Sequence, residues 1–328
     1  MIWGLYVGNY ENNRTDQSYS GWITKSPRKA SENDPPYKLP IRTFPKLGIY
    51  SSHDESVINS HMLLMRNSFI DSVIFLWDGH NKNSQKEERT LKLLFKYANI
   101  YRMKVGIQLR TTSETTNQTI FDSIKYFIDK YGKSETILKI FDRPVVILYE
   151  PYKIPKIYKL ISNLRNTTYD CYFVSTIENI YQVGVQNEEG FDSVFTYSVN
   201  RAYSTGKPEN WKSLSKECRK RGIPLMLAVG PGYNDQLSNE WHHSYNVDRE
   251  NGSYYQNMWK KAIEIDPDVI IINSFNNFLE GTNIEPVIPR EGYEFNQKYW
   301  IDAYDPGYYI KKTLEYASKY KYEQFQII

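Results

Sequence analysis

Apolar residues in this chain fall into short runs, separated by longer stretches in which they recur every three or four positions. The runs, rich in β-branched and aromatic residues, cover 2–7, 72–77, 104–109, 144–149, 171–175, 193–197, 224–229 and 269–273. They have strand length and mostly lack polar alternation, as strands buried on both faces do. The segments 87–101, 119–131, 154–166, 210–221 and 254–265 carry helical spacing and lie between them. Eight strands alternating with helices predict a (β/α)8 TIM barrel, with a doubly wound open sheet as the alternative.

Two connections exceed what a compact barrel needs. Residues 10–50 follow the first strand and 230–252 the seventh, both polar and broken by Pro or Gly. Long loops of this kind are usually functional, and in a barrel both would lie over the C-terminal mouth. No linker or internal repeat divides the chain, so the pattern predicts one barrel over residues 1–320 and a frayed tail over 321–328.

Composition narrows the picture modestly. The 40% apolar content of the 328 residues is enough for a large core, and a formal charge of +3 gives no reason to expect nucleic acid or an anionic membrane surface. Two cysteines, Cys171 and Cys218, make no disulfide framework and read as buried thiols, with a single bridge as the alternative. Residues 1–6 read as a first strand rather than a secretory leader, and no run reaches the roughly 18 apolar residues a membrane span needs. Nothing in the sequence encodes a compartment. The 29 Tyr, 14 Phe and 7 Trp suit stacking on sugar faces, and they suit ordinary packing equally.

In a barrel, candidate site residues stand just after each strand. Here they are Trp77 and Asp78, Gln108 and Arg110, Tyr149 and Glu150, Glu178, Tyr197 and Asn200, Tyr233 and Asp235, and Asn276, Asn277 and Glu280. There is no His or Cys cluster with metal-ligand spacing, no phosphate-cradling glycine loop and no nucleophile elbow. Carboxylates, amides and aromatics suit carbohydrate: amides and carboxylates fork onto hydroxyls while rings cover the C–H faces. Each has a plainer reading. Trp77 could cap the core, Asp78 and Asp235 could serve turns, Glu178 could be surface, and Arg110 could pair with a strand-end carboxylate. The glycines of Gly230-Pro231-Gly232 permit unusual backbone angles or the close approach of a ligand. Glu280 is the hardest to dismiss, because it follows an apolar strand where a buried carboxylate acquires a shifted pKa.

Several segments, in order, resemble glycoside hydrolase family 99, the endo-α-1,2-mannosidases and mannanases. They are Phe44 to Asp54, Tyr126 to Gly132, Gly190 to Trp211, Val229 to Asp235, Arg249 to Tyr255 and Ser274 to Glu285; the last is similar to the family's SFNEWHEGTQIE. The resemblance spans nearly the whole chain. It implies a (β/α)8 barrel, a mannose-containing glycan as partner, and hydrolysis inside an α-mannoside chain with retention and without a metal or other cofactor. It also implies two glutamates: one takes the proton of the sugar 2-hydroxyl as a 1,2-anhydro ring closes, and the other protonates the leaving oxygen and then activates water.

Carried over residue by residue, the second glutamate is Glu280 and the first is Asn277, a neutral amide that cannot act as a base near pH 7. The family's Trp-His between them is Phe278-Leu279 here, and its His-x-Glu after the third strand falls on Gln108-Leu109-Arg110. The Asp after the fourth strand becomes Glu150, and the paired N-terminal tyrosines have no clear counterpart around Trp3-Gly4. Three readings follow. In the first, the enzyme has moved its base to Glu150 or Asp78, with Glu280 as acid. The second is a glycan-binding pseudoenzyme using Trp77, Tyr197 and Glu280, and the third a module in glycan or polysaccharide biosynthesis.

Overall fold

The structure is a computed structural model that describes residues 1–23, 39–81, 84–238, 246–291, 293 and 305–326. Residues 24–38 and 239–245 of the two long connections, and 327–328 of the expected tail, lie outside the described residues.

Eight parallel strands close on themselves: β1 (Ile2–Val7), β2 (Ser72–Trp77), β3 (Lys104–Leu109), β4 (Arg143–Leu148), β5 (Tyr172–Thr176), β6 (Ser193–Phe195), β7 (Leu225–Val229) and β8 (Val269–Ile272). Each pairs with its neighbour in chain order, and β1 closes the ring against β8 with Gly4 opposite Ile272. The (β/α)8 barrel is therefore the fold, and the open sheet is excluded by the β1–β8 pairing. Strands such as β4 read as unbroken apolar runs because Val145, Val146, Ile147 and Leu148 are all buried, alternately toward the lumen and toward the helices.

The helix layer comprises α1 (Glu55–Asn67), α2 (Gln85–Tyr101), α3 (Asn117–Tyr131), α4 (Ile157–Leu164), α5 (Gln182–Glu188), α6 (Trp211–Arg221), α7 (Ser253–Ile265) and α8 (Tyr308–Gln326). Helix α3 shows how sequence sets such an element. Thr116 caps it, accepting from Thr119 N while Thr119 returns the bond to the Thr116 backbone. Ile120, Ile124, Phe127 and Tyr131 then form one buried stripe at three- and four-residue spacing. Removing Phe127, which is fully buried, would cost about 3–5 kcal/mol. Helix α6 stops at Gly222, whose φ of +66° completes the turn.

The expected tail is instead largely helix. Tyr309, Tyr316, Ala317 and Tyr320 bury one face of α8, Tyr320 donates to Pro267 O, and the Lys321 ammonium meets Asp71. Apolar spacing continues past residue 320 only weakly, so these tertiary contacts, not the local pattern, set its end. Both cysteines are free and buried, as read from the sequence. Among the described residues no helix is long and apolar enough to cross a membrane.

The described parts of the two long connections sit over the C-terminal mouth. Tyr10, Trp22, Phe44 and Tyr50 of the first build a second apolar cluster with Phe278 and Val287 from beyond β8. Tyr10 stacks on Trp22 with ring centres 3.9 Å apart, and Trp22 Nε1 donates to Tyr50 O. Phe44–Pro45 pairs antiparallel with Val287–Ile288. The loop after β1 thus supports the loop after β8 from behind.

Candidate active site

The segment after β8 is shaped by its buried polar residues. Asn276 Oδ1 accepts from Val7 N at 2.8 Å, and its Nδ2 donates to Val7 O and to the Tyr50 hydroxyl. Asn276, expected among the substrate-binding residues, is fully buried and fastens the loop to β1. The Tyr50 hydroxyl donates to Glu285, whose other oxygen lies 3.3 Å from His61 Nε2, while His61 Nδ1 meets the Tyr6 hydroxyl at 2.8 Å. On the far side Arg249 donates to Gly281 O and Asn283 O. Asn277 O accepts from Thr282 N, and Asn277 Oδ1 accepts from Glu280 N at 3.3 Å. A turn so tied presents Asn277 and Glu280 together to the mouth.

They face a cavity of about 380 Å³ over the C-terminal ends of the strands. Val7 and Asn9 reach it from β1, Leu76 from β2, Gln108 and Arg110 from β3, and Tyr149 and Tyr197 from β4 and β6. Tyr233, Asp235 and Ser238 come from the β7 loop, with Asn277, Leu279 and Glu280 from the β8 loop. Tyr149 and Tyr197 meet edge to face at 4.8 Å, and the Tyr233 hydroxyl donates to Asp235 at 3.0 Å. A cavity lined by phenol rings together with amides and carboxylates fits a polyhydroxylated ring.

The electrostatics separate the carboxyls. Burial lifts Glu280 to about 7; nearby Arg110 opposes the shift and the Asp235 charge adds to it. Burial, and then the Asp78 charge, push Glu87 up to about 8. Both therefore hold a proton over much of the neutral range. The hydroxyls of Tyr149, Tyr197 and Tyr233 are raised too, first by burial and next by neighbouring carboxylates, so they stay protonated donors.

Glu87 was not among the residues read from the sequence. It stands at the head of the buried stripe Thr90, Leu91, Leu94, Phe95, Ala98 of α2, one helical turn before Leu91. Local pattern reads it only as an acid in the first turn of an amphipathic helix, a common placement, so no sequence signal marked it.

Other expectations fail on placement. Trp77 lies in the core with its ring 6.0 Å from Tyr126 of α3. Strand parity is the reason: Leu76 pairs with Gln108 and both reach the cavity, so Trp77 and its partner Leu109 point outward. Glu150 adopts φ +48°, which turns its carboxylate to Lys153 and Tyr152, outside the cavity lining. The Tyr152 hydroxyl also bonds Glu178, leaving that residue on the rim. Asn200 Oδ1 accepts from Ser198 Oγ and Ala202 N, a turn role. Asp78 lies outside this cavity, lining an adjoining one of about 410 Å³, with Oδ1 3.4 Å from Arg110 Nε. The glycines of the β7 loop serve chain packing: a Cβ on Gly230 would come within 2.4 Å of Asn273 O, and one on Gly232 within 2.9 Å of Val247 O. Of the predicted residues, Gln108, Arg110, Tyr149, Tyr197, Tyr233, Asp235, Asn277 and Glu280 do converge.

Glycoside hydrolases are among the enzymes built on a closed barrel with carboxyls, amides and tyrosines at its C-terminal face. The chain belongs to Glycosyl hydrolase family 99, whose model matches residues 2–322. It is 27% identical over 352 aligned positions to the glycoprotein endo-alpha-1,2-mannosidase of Mus musculus, covering 99% of this chain and 76% of that one. To the endo-alpha-1,2-mannosidase-like protein of Danio rerio it is 28% identical, covering 97% of this chain and 77% of the other. The solved family 99 endo-alpha-mannosidase of Bacteroides thetaiotaomicron superposes with a TM-score of 0.87 at 25% identity, over 98% of this chain and 97% of that one.

Proposed function

We propose that this chain hydrolyses α-mannosides at internal linkages, with Glu280 as general acid, and that α-1,2 linkages are the first to test given the names its relatives carry. The observation that carries the reading is Glu280 itself, a carboxyl lifted to about 7 at a cavity flanked by tyrosines. A carboxylic acid that keeps its proton near neutral pH can deliver it to a departing glycosidic oxygen.

The base is the open part of the chemistry. Asn277 occupies the position that the resemblance gives to it, and Glu150 and Asp78 lie outside the cavity. Asp235 is the carboxylate beside Glu280 that takes the part in this reading. It would accept the proton of the sugar 2-hydroxyl as that oxygen closes on the anomeric carbon, while Glu280 protonates the leaving oxygen. Water then opens the ring, giving a proton to Glu280, and Asp235 returns its proton to the 2-oxygen. Configuration is retained.

A second reading, a glycan-binding protein without turnover, is favoured by Asn277, since loss of a general base typically costs about 10²–10⁴-fold in rate. Glycan-array binding of the wild-type protein, with product analysis on each retained glycan, separates the two. Cleavage at an internal α-mannoside supports the hydrolase. Retention of α-mannosides with no product makes the chain a binding protein.

A further inference from the structure

Among the described residues Arg110 is the one cation lining the 380 Å³ cavity, and it lines the adjoining 410 Å³ cavity as well, so it stands where the two meet. Its only ion pair among the described residues is the 3.4 Å approach of Nε to Asp78, and both side chains are about half exposed. Neither terminal nitrogen of the guanidinium donates a hydrogen bond to a described residue. Two residues earlier on the same face of β3, Gln108 is 1% exposed, and its Oε1 has no hydrogen-bond partner. A buried amide oxygen without a donor, beside a guanidinium with an unused fork, describes a place shaped for a ligand that supplies both a hydroxyl and an oxyanion.

We propose that the glycan taken by this site carries an anionic group, a carboxylate, phosphate or sulfate, that docks on the terminal nitrogens of Arg110 while a neighbouring hydroxyl donates to Gln108 Oε1. This rests on the reading of the cavity as a glycan site and names the substrate class within it. The carboxyls around Arg110 do not forbid an anion. Glu87 and Glu280 hold protons near neutral pH, with values of about 8 and about 7. The Asp78 contact is a single, solvent-exposed one that an incoming bidentate anion can displace. Arginine suits the task better than lysine, because its planar fork matches the geometry of an oxyanion.

The test uses the wild-type chain and α-1,2-mannobiose in four forms, by titration calorimetry: neutral, oxidised at C6 to a carboxylate, phosphorylated at O6 and sulfated at O6. At least one charged form should bind about 10–100-fold more tightly than the neutral one, as charge-assisted bonds to a fork allow. The form that binds best names the group. The preference should shrink as sodium chloride is raised, and in Arg110→Gln the ratio of charged to neutral affinity should fall close to one. Should Arg110→Gln fail to fold, the salt titration and an Arg110→Lys variant with an intermediate ratio carry the same test. Neutral mannobiose bound or cleaved without any advantage for the charged forms would overturn this inference and leave the hydrolase reading standing. No binding of any form would overturn both.

Discussion

The two ends of this barrel use carboxylates in opposite ways. At the N-terminal end Asp71, Asp192 and Asp268 each accept a backbone N–H near the start of a strand, at Ile2, Phe173 and Leu225. Asp71 is also paired with Lys321, and Asp192 with Arg143 and Arg165 at 2.7 and 2.8 Å. All three pin strands, and Asp71 and Asp192 do so with opposite charges alongside. At the C-terminal end Glu87 and Glu280 both face Arg110, and burial nonetheless pushes the two carboxyls up toward neutrality. Side chains of one kind give a fixed frame where backbone donors hold them and a protonatable group where burial prevails.

The comparison breaks most sharply at Glu280. Replacing it with Gln should lower α-mannoside hydrolysis by about 10²–10⁴-fold, read from product release at saturating glycan. A rate within a few-fold of wild type would remove Glu280 from the acid's role. Adding a carboxylate at the position the resemblance gives to the base, by Asn277→Glu, should raise the rate by about tenfold or more. An unchanged rate would show that this position is not the deficient part.

At the other end the loss should appear in stability and not in chemistry. Asp192→Ala strips two arginines and the Phe173 N–H of their acceptor, which should cost about 2–4 kcal/mol in urea unfolding. The rate per folded molecule should hold, since Asp192 lies at the opposite end of the barrel from the cavity.

The smallest effect is in pH. Glu280 as an acid predicts a rate that falls as pH rises through about 7. The same shift has a stability sign. The native state holds a proton that the unfolded chain releases above the ordinary carboxylate value, so Glu280 lowers stability progressively between that value and about 7. Glu280→Gln removes this penalty and should raise the Tm by about 2–4 °C at pH 8, with little change at pH 4. A lowered Tm at pH 8 would contradict the raised pKa.

Periodicity alone determined much of this protein. Runs of five or six residues set off by helical stripes specify eight strands and their order along the chain, because both rules act over a few residues, whereas closure into a barrel was settled by the β1–β8 pairing. Strand ends also marked eight of the residues that line the cavity. The tertiary structure decided the rest. Trp77 left the site because a strand's parity is fixed by its partners, and the pairing of Leu76 with Gln108 sends the next residue outward. Glu150 left because one left-handed backbone angle turned it toward Lys153. Glu87 entered from the head of a helix, where local pattern reads only a first-turn acid. Asn276 became a clamp because its amide meets Val7, 269 positions away in the chain. Secondary structure follows from neighbours in sequence, whereas which face of a strand meets the cavity, and which carboxyl keeps its proton there, depend on groups brought together only when the ring closes.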